Sequence, residues 1–125
     1  MADSFYDAFT PEEIARICAA GTRVHVPEGW SPIWERTPAD KAYIILDGTV
    51  SVRQHGTEIA RLGPGDIVGE AAIVNHSLRT ASIVALTPLE LVHFTDEAVR
   101  RLCDEMPSFA EALRHAADER LKPTR

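Results

Sequence analysis

The sequence predicts a mainly β fold with α-helical ends: a barrel or roll of short strands held between an N-terminal helix and two C-terminal helices. Three observations carry the prediction. Residues 22–94 break into many short apolar or alternating runs, separated by Gly and Pro turns. Residues 11–20 and 96–121 instead repeat their apolar residues at helical spacing. A chain of 125 residues with 45% hydrophobic content suits one core and therefore one domain, 1–125. Its parts are an N-terminal helical segment (1–21), a β-roll (22–94) and C-terminal helices (95–125).

The N-terminal helix is announced by Thr10-Pro11-Glu12-Glu13. Thr10 caps, Pro11 suits the first turn, and Glu13 completes a capping box. Ile14, Ile17 and Cys18 then share a face, and Gly21 is the stop. Ahead of them, Phe5, Tyr6 and Phe9 predict an apolar helical turn. From Thr22 the period changes to two, with Val24 and Val26 around His25. Pro27-Glu28-Gly29 is a turn, and Ile33-Trp34 a further short strand. Tyr43-Ile44-Ile45-Leu46 is an apolar strand ended by Asp47-Gly48, a hairpin signal. Val50 and Val52 alternate with Ser51 and Arg53, His55-Gly56 turns the chain, and Glu58–Leu62 returns. Gly63-Pro64-Gly65 breaks that strand, and Thr87-Pro88 separates Ala81–Leu86 from Leu89–Phe94. Thr95 or Asp96 caps a helix through Ala98, Val99 and Leu102. Met106-Pro107 interrupts it, and a second helix carries Phe109, Leu113, Ala117 and Leu121 on one face.

Charge and composition exclude several functions. The formal net charge is −6, with 19 acidic against 13 basic side chains and no basic block, so nucleic-acid binding by this chain is not expected. The start, with Asp3 and Asp7 and no basic residue, is not a signal peptide, and no apolar run reaches the ~18 residues of a membrane span. A cytoplasmic protein without membrane contact is expected. Cys18 and Cys103 lack any CxxC spacing and read as reduced thiols. The five histidines do not form the His-x-His…Glu cluster of a metal-bearing cupin, so no metal is expected. No nucleophile–base pair stands out, and the chain reads as a binding module and not an enzyme.

The chemistry concentrates in Gly65–Ser82. A strand ends at Gly69, and Glu70–Val74 suits one helical turn rich in small residues, whose free N–H groups would face an anion. Small side chains at Gly69, Ala71, Ala72 and Ala81 admit a ligand close to the backbone. One arginine, Arg79, follows the loop. An anion above a helix N-terminus beside a single arginine makes a coherent phosphate site.

This segment resembles the phosphate-binding cassette of the cyclic-nucleotide-binding domain family. The family pattern, roughly Phe-Gly-Glu-(aliphatic)-Ala-Leu followed after a loop by Pro-Arg-(Ala/Thr)-Ala, reads here as Val68-Gly69-Glu70-Ala71-Ala72-Ile73 and Leu78-Arg79-Thr80-Ala81. Val68 replaces the common aromatic and Leu78 the common proline. Tyr43–Gly48 and Leu62–Asp66 are similar to the family's strand and pre-cassette turn. The resemblance implies an eight-stranded jelly-roll-like β-roll with an N-terminal helix, a short phosphate-cassette helix and two C-terminal helices. It implies that cAMP or cGMP is the ligand and that no further cofactor is needed. Glu70 would accept from the ribose 2′-hydroxyl and Arg79 pair with the cyclic phosphate. The backbone N–H groups of Ala71, Ala72, Thr80 and Ala81 would complete the phosphate contacts. Thr80 also bears on base choice, where the expectation is cAMP with only weak discrimination against cGMP.

Three further expectations concern output. The stripe Phe109, Leu113, Ala117 would cover the base as a lid hinged at Met106-Pro107. The C-terminal helix would meet a protein partner or a second copy. The alternatives are a fragment of a catabolite-activator-type transcription regulator, or a roll that has lost its ligand and serves as an interaction module.

Overall fold

In the computed structural model, residues 5–31, 41–69 and 81–121 are described. Seven strands lie among them: β1 (Thr22–Val26), β2 (Lys41–Asp47), β3 (Val50–Gln54), β4 (Thr57–Leu62), β5 (Ile67–Val68), β6 (Ser82–Ala85) and β7 (Leu89–Thr95). The strand expected at Ile33-Trp34 lies outside the described residues. A 3-10 turn (Phe5–Ala8) and α1 (Pro11–Ala19) precede the strands, and α2 (Asp96–Glu105) and α3 (Pro107–Leu121) follow them.

The strands form two antiparallel sheets, one in the order β1-β7-β2-β5 and the other β4-β3-β6. Residues that alternate along the first sheet serve two different cores. Tyr43, Ile45, Val68, Leu89 and Leu91 pack inside the roll with Val50, Val52, Ile83 and Ala85 of the second sheet. Ala42, Ile44, Ile67, Val92 and Phe94 face the other way, toward Ile17, Val99, Leu102, Met106, Phe109 and Leu113 of the helices. The molecule is therefore three layers deep: helices, first sheet, second sheet. This explains why Ala42–Ile45 shows no alternation in sequence, since a strand covered on both faces needs apolar residues on both.

Local chemistry sets the helix ends. Thr10 Oγ1 accepts from Glu13 N at 3.2 Å, and Glu13 Oε1 accepts from Thr10 N at 2.9 Å, closing the capping box. Thr95 Oγ1 caps α2 by accepting from Ala98 N at 3.1 Å. Met106 takes φ −131°, ψ 94°, so the chain leaves the helix there and Pro107 starts the next one.

The turns need a correction. His55-Gly56 is a two-residue hairpin turn joining paired β3 and β4, with φ of 53° and 81°, the pair of positive angles that matches strand twist. Asp47-Gly48 does end β2 as expected, but it makes no hairpin. Strand β2 belongs to the first sheet and β3 to the second, so the chain crosses between sheets here. Gly48 has φ 99°, and a Cβ on it would stand 2.5 Å from the Pro88 carbonyl oxygen. The crossing packs against the reverse crossing from β6 to β7, where Thr49 N donates to Thr87 Oγ1 at 3.0 Å and Leu86 N to Thr49 O at 2.9 Å.

Candidate functional site

Strand β5 is only two residues long, and the turn before it holds it in place. Gly63 N donates to Asp66 Oδ2 at 3.0 Å and Asp66 N to Gly63 O at 3.1 Å, so Asp66 closes the turn on itself. Gly65, at φ 88°, donates from its N to Ile45 O at 2.8 Å, and Ile45 N donates to Asp66 O at 2.9 Å. The turn is thus fastened to β2. Val68 then pairs with Tyr43, and Gly69 at φ 87° turns the chain off the sheet. A left-handed backbone here suits glycine and little else.

The chain re-enters the other sheet at Ala81. Ser82 pairs with Arg53, and Val52 with Ile83. The outer edge of β6 is taken by residues 29–31. Gly29 N donates to Ala85 O and Ala85 N to Trp30 O, both at 2.8 Å, and Ser31 Oγ donates to Ile83 O at 2.7 Å. Val68 belongs to the interior cluster, and partly buried Ala81 packs against it. Gly69 accordingly follows a strand of one sheet and Ala81 precedes a strand of the other, at the end of the roll marked by Tyr43 and Gln54.

The structure brings Val68, Gly69 and Ala81 of the expected site to this end. Glu70, Ala71, Ala72, Arg79 and Thr80 lie outside the described residues. Phe109 and Leu113 are only 1% and 2% exposed and pack in the helical core, on the face of the first sheet opposite the roll interior. Ala117 falls within α3, with its side chain outside the described residues.

Two features escaped sequence reasoning. One is a row of positions in register across the roll-facing side of the first sheet, from buried Val68 and Tyr43 through half-buried His93 to exposed Thr22. The Tyr43 and His93 rings have centroids 5.4 Å apart, tilted by 55°. No short motif joins residues fifty positions apart, so only the register reveals them. The other is Ser51, fully buried on the outward face of the second sheet. Its hydroxyl donates to Glu58 Oε1 at 2.7 Å and accepts from Arg53 Nε at 3.0 Å, while Arg61 Nε lies 3.1 Å from both Glu58 oxygens. The Ser51 hydroxyl, then Arg61, hold the Glu58 carboxyl below its ordinary pKa. This cluster braces the β3–β4 hairpin.

Cys18 and Cys103 are free thiols, as expected. Burial, then the Asp104 charge, pushes the Cys103 thiol up, which makes it a poor nucleophile. Among the described residues no group of three or more His, Cys, Asp or Glu side chains is placed to hold a metal ion. Among them, too, no helix is long and apolar enough to cross a membrane.

A family profile described as cyclic nucleotide-binding domain matches residues 23–106. The chain belongs to the cyclic nucleotide-binding domain family. Of the known relatives of this cyclic nucleotide-binding domain, a CRP-like cAMP-activated global transcriptional regulator from Mycobacterium tuberculosis is 27% identical over 124 residues, covering 95% of this chain and 55% of the regulator. A cyclic nucleotide-gated potassium channel from Mesorhizobium japonicum is 32% identical over 108 residues, covering 86% of this chain and 29% of the channel. The Thermus thermophilus catabolite activator protein superposes with a TM-score of 0.82 at 27% identity, over 94% of this chain and 57% of that one. The chain thus spans about half the length of the regulator it matches, and these likenesses agree with the roll and flanking helices seen here.

Proposed function

We propose that this domain is a sensor that binds a cyclic nucleotide reversibly, cAMP in preference to cGMP, and makes or breaks no covalent bond. The observation that carries the reading is a cassette sequence with both charged residues present, Glu70 and Arg79, in a segment that leaves β5 at Gly69 and rejoins β6 at Ala81. Arg79 neutralises the cyclic phosphate, and the N–H groups of Ala71, Ala72, Thr80 and Ala81 bond to it. Glu70 accepts from the ribose 2′-hydroxyl. A charged acceptor in such a bond contributes about 1.5–3 kcal/mol, so cAMP should bind about tenfold or more tightly than 2′-deoxy-cAMP. Equal affinity for the two removes this role from Glu70. A preference for cGMP beyond about tenfold, lost in Thr80→Ala, reverses the base assignment.

The signal passes through the C-terminal helices, with Met106 as the pivot. Phe109 and Leu113 anchor the first half of α3 in the helical core. Covering of the purine therefore falls to the helix from Ala117 onward, or requires that anchor to shift. Hydrogen exchange along residues 107–121 should slow when nucleotide is added. Unchanged exchange there makes α3 scaffold. The helix is also the surface offered to a protein partner or a second copy, and the site of action is the cytoplasm.

A second reading has a specific observation in its favour. The chain covers 55% of the Mycobacterium regulator and 57% of the Thermus activator. It is then the sensory part of a catabolite-activator-type transcription regulator, with DNA binding supplied elsewhere in that protein.

A further inference from the structure

We draw no further inference here: the strongest candidate, the exposed Trp30 side chain on the turn from Pro27 to Trp30 at the edge of β6, is a single apolar side chain, and nothing in the structure shows what covers it.

Discussion

Ser108 donates its hydroxyl hydrogen bond to Glu13 Oε2 at 2.9 Å, across 95 residues of sequence. The other oxygen of that carboxylate already accepts from Thr10 N, so one side chain ties the start of α1 to the start of α3. Arg16, one turn along α1, lies 3.6 Å from Glu105 at the end of α2. The break between α2 and α3 at Met106-Pro107 is therefore bracketed on both sides by contacts to the N-terminal helix.

Acid should loosen this bracket. The Thr10 backbone N–H, and then the Ser108 hydroxyl, hold the Glu13 carboxyl below its ordinary value of 4.5. A carboxyl with a lowered folded-state pKa stabilises the fold fully above its unfolded value, and loses that contribution as pH falls through the folded one. Thermal melts from about pH 6 down to pH 3 should show a gap between wild type and Glu13→Gln that narrows toward the acid end. A gap that stays constant over this range means that the charge on Glu13 contributes nothing.

Phe109 anchors α3. Its ring lies 5.8 Å from Phe5 and 6.2 Å from Phe9, which are 5.2 Å from each other. Phe109→Ala should cost about 3–5 kcal/mol by chemical denaturation, from lost burial and the cavity left behind. The same change should speed exchange in residues 5–9, because those rings lose their common neighbour. A loss below about 1 kcal/mol shows that the cluster contributes little to stability.

Gly48 should tolerate no side chain. Its left-handed φ alone costs an L-residue about 1–2 kcal/mol. A Cβ would also meet the Pro88 carbonyl oxygen at 2.5 Å and Leu89 Cδ2 at 2.7 Å. Gly48→Ala should therefore destabilise by more than that figure. Gly29, also at positive φ but with nothing near its Cβ position, should suffer only the backbone part. Equal losses at the two positions contradict the packing of the crossings.

What the sequence disclosed follows the range of the interactions involved. Thr10, Glu13, Thr95 and the Met106-Pro107 break act over a few residues and were readable as caps and a stop. The His55-Gly56 turn was readable for the same reason, and the pairing of β3 with β4 shows that it closes a hairpin. Asp47-Gly48 misled because a hairpin and a crossing between sheets both need a glycine at positive φ, and only strand pairing tells them apart. The stripe containing Phe109 and Leu113 showed that one face of α3 is apolar, but not what covers it. The aromatic rings from the N-terminal turn do so, together with Ile17 and the outer face of the first sheet. Glu70 and Arg79 stood out through their motif, whereas Tyr43 and His93 meet only because β2 and β7 lie in register.

The central claim is that this roll binds a cyclic nucleotide through Arg79. Calorimetric titration of wild type and Arg79→Ala with cAMP tests it most directly. Leaving a cyclic phosphate without its charge partner in a partly dry site costs about 2–5 kcal/mol, or about one to four decades of affinity. The account predicts saturable binding by the wild type and a loss of that size in a variant that melts at the same temperature. Binding by Arg79→Ala within about threefold of the wild type, or no binding by either folded protein, would contradict it.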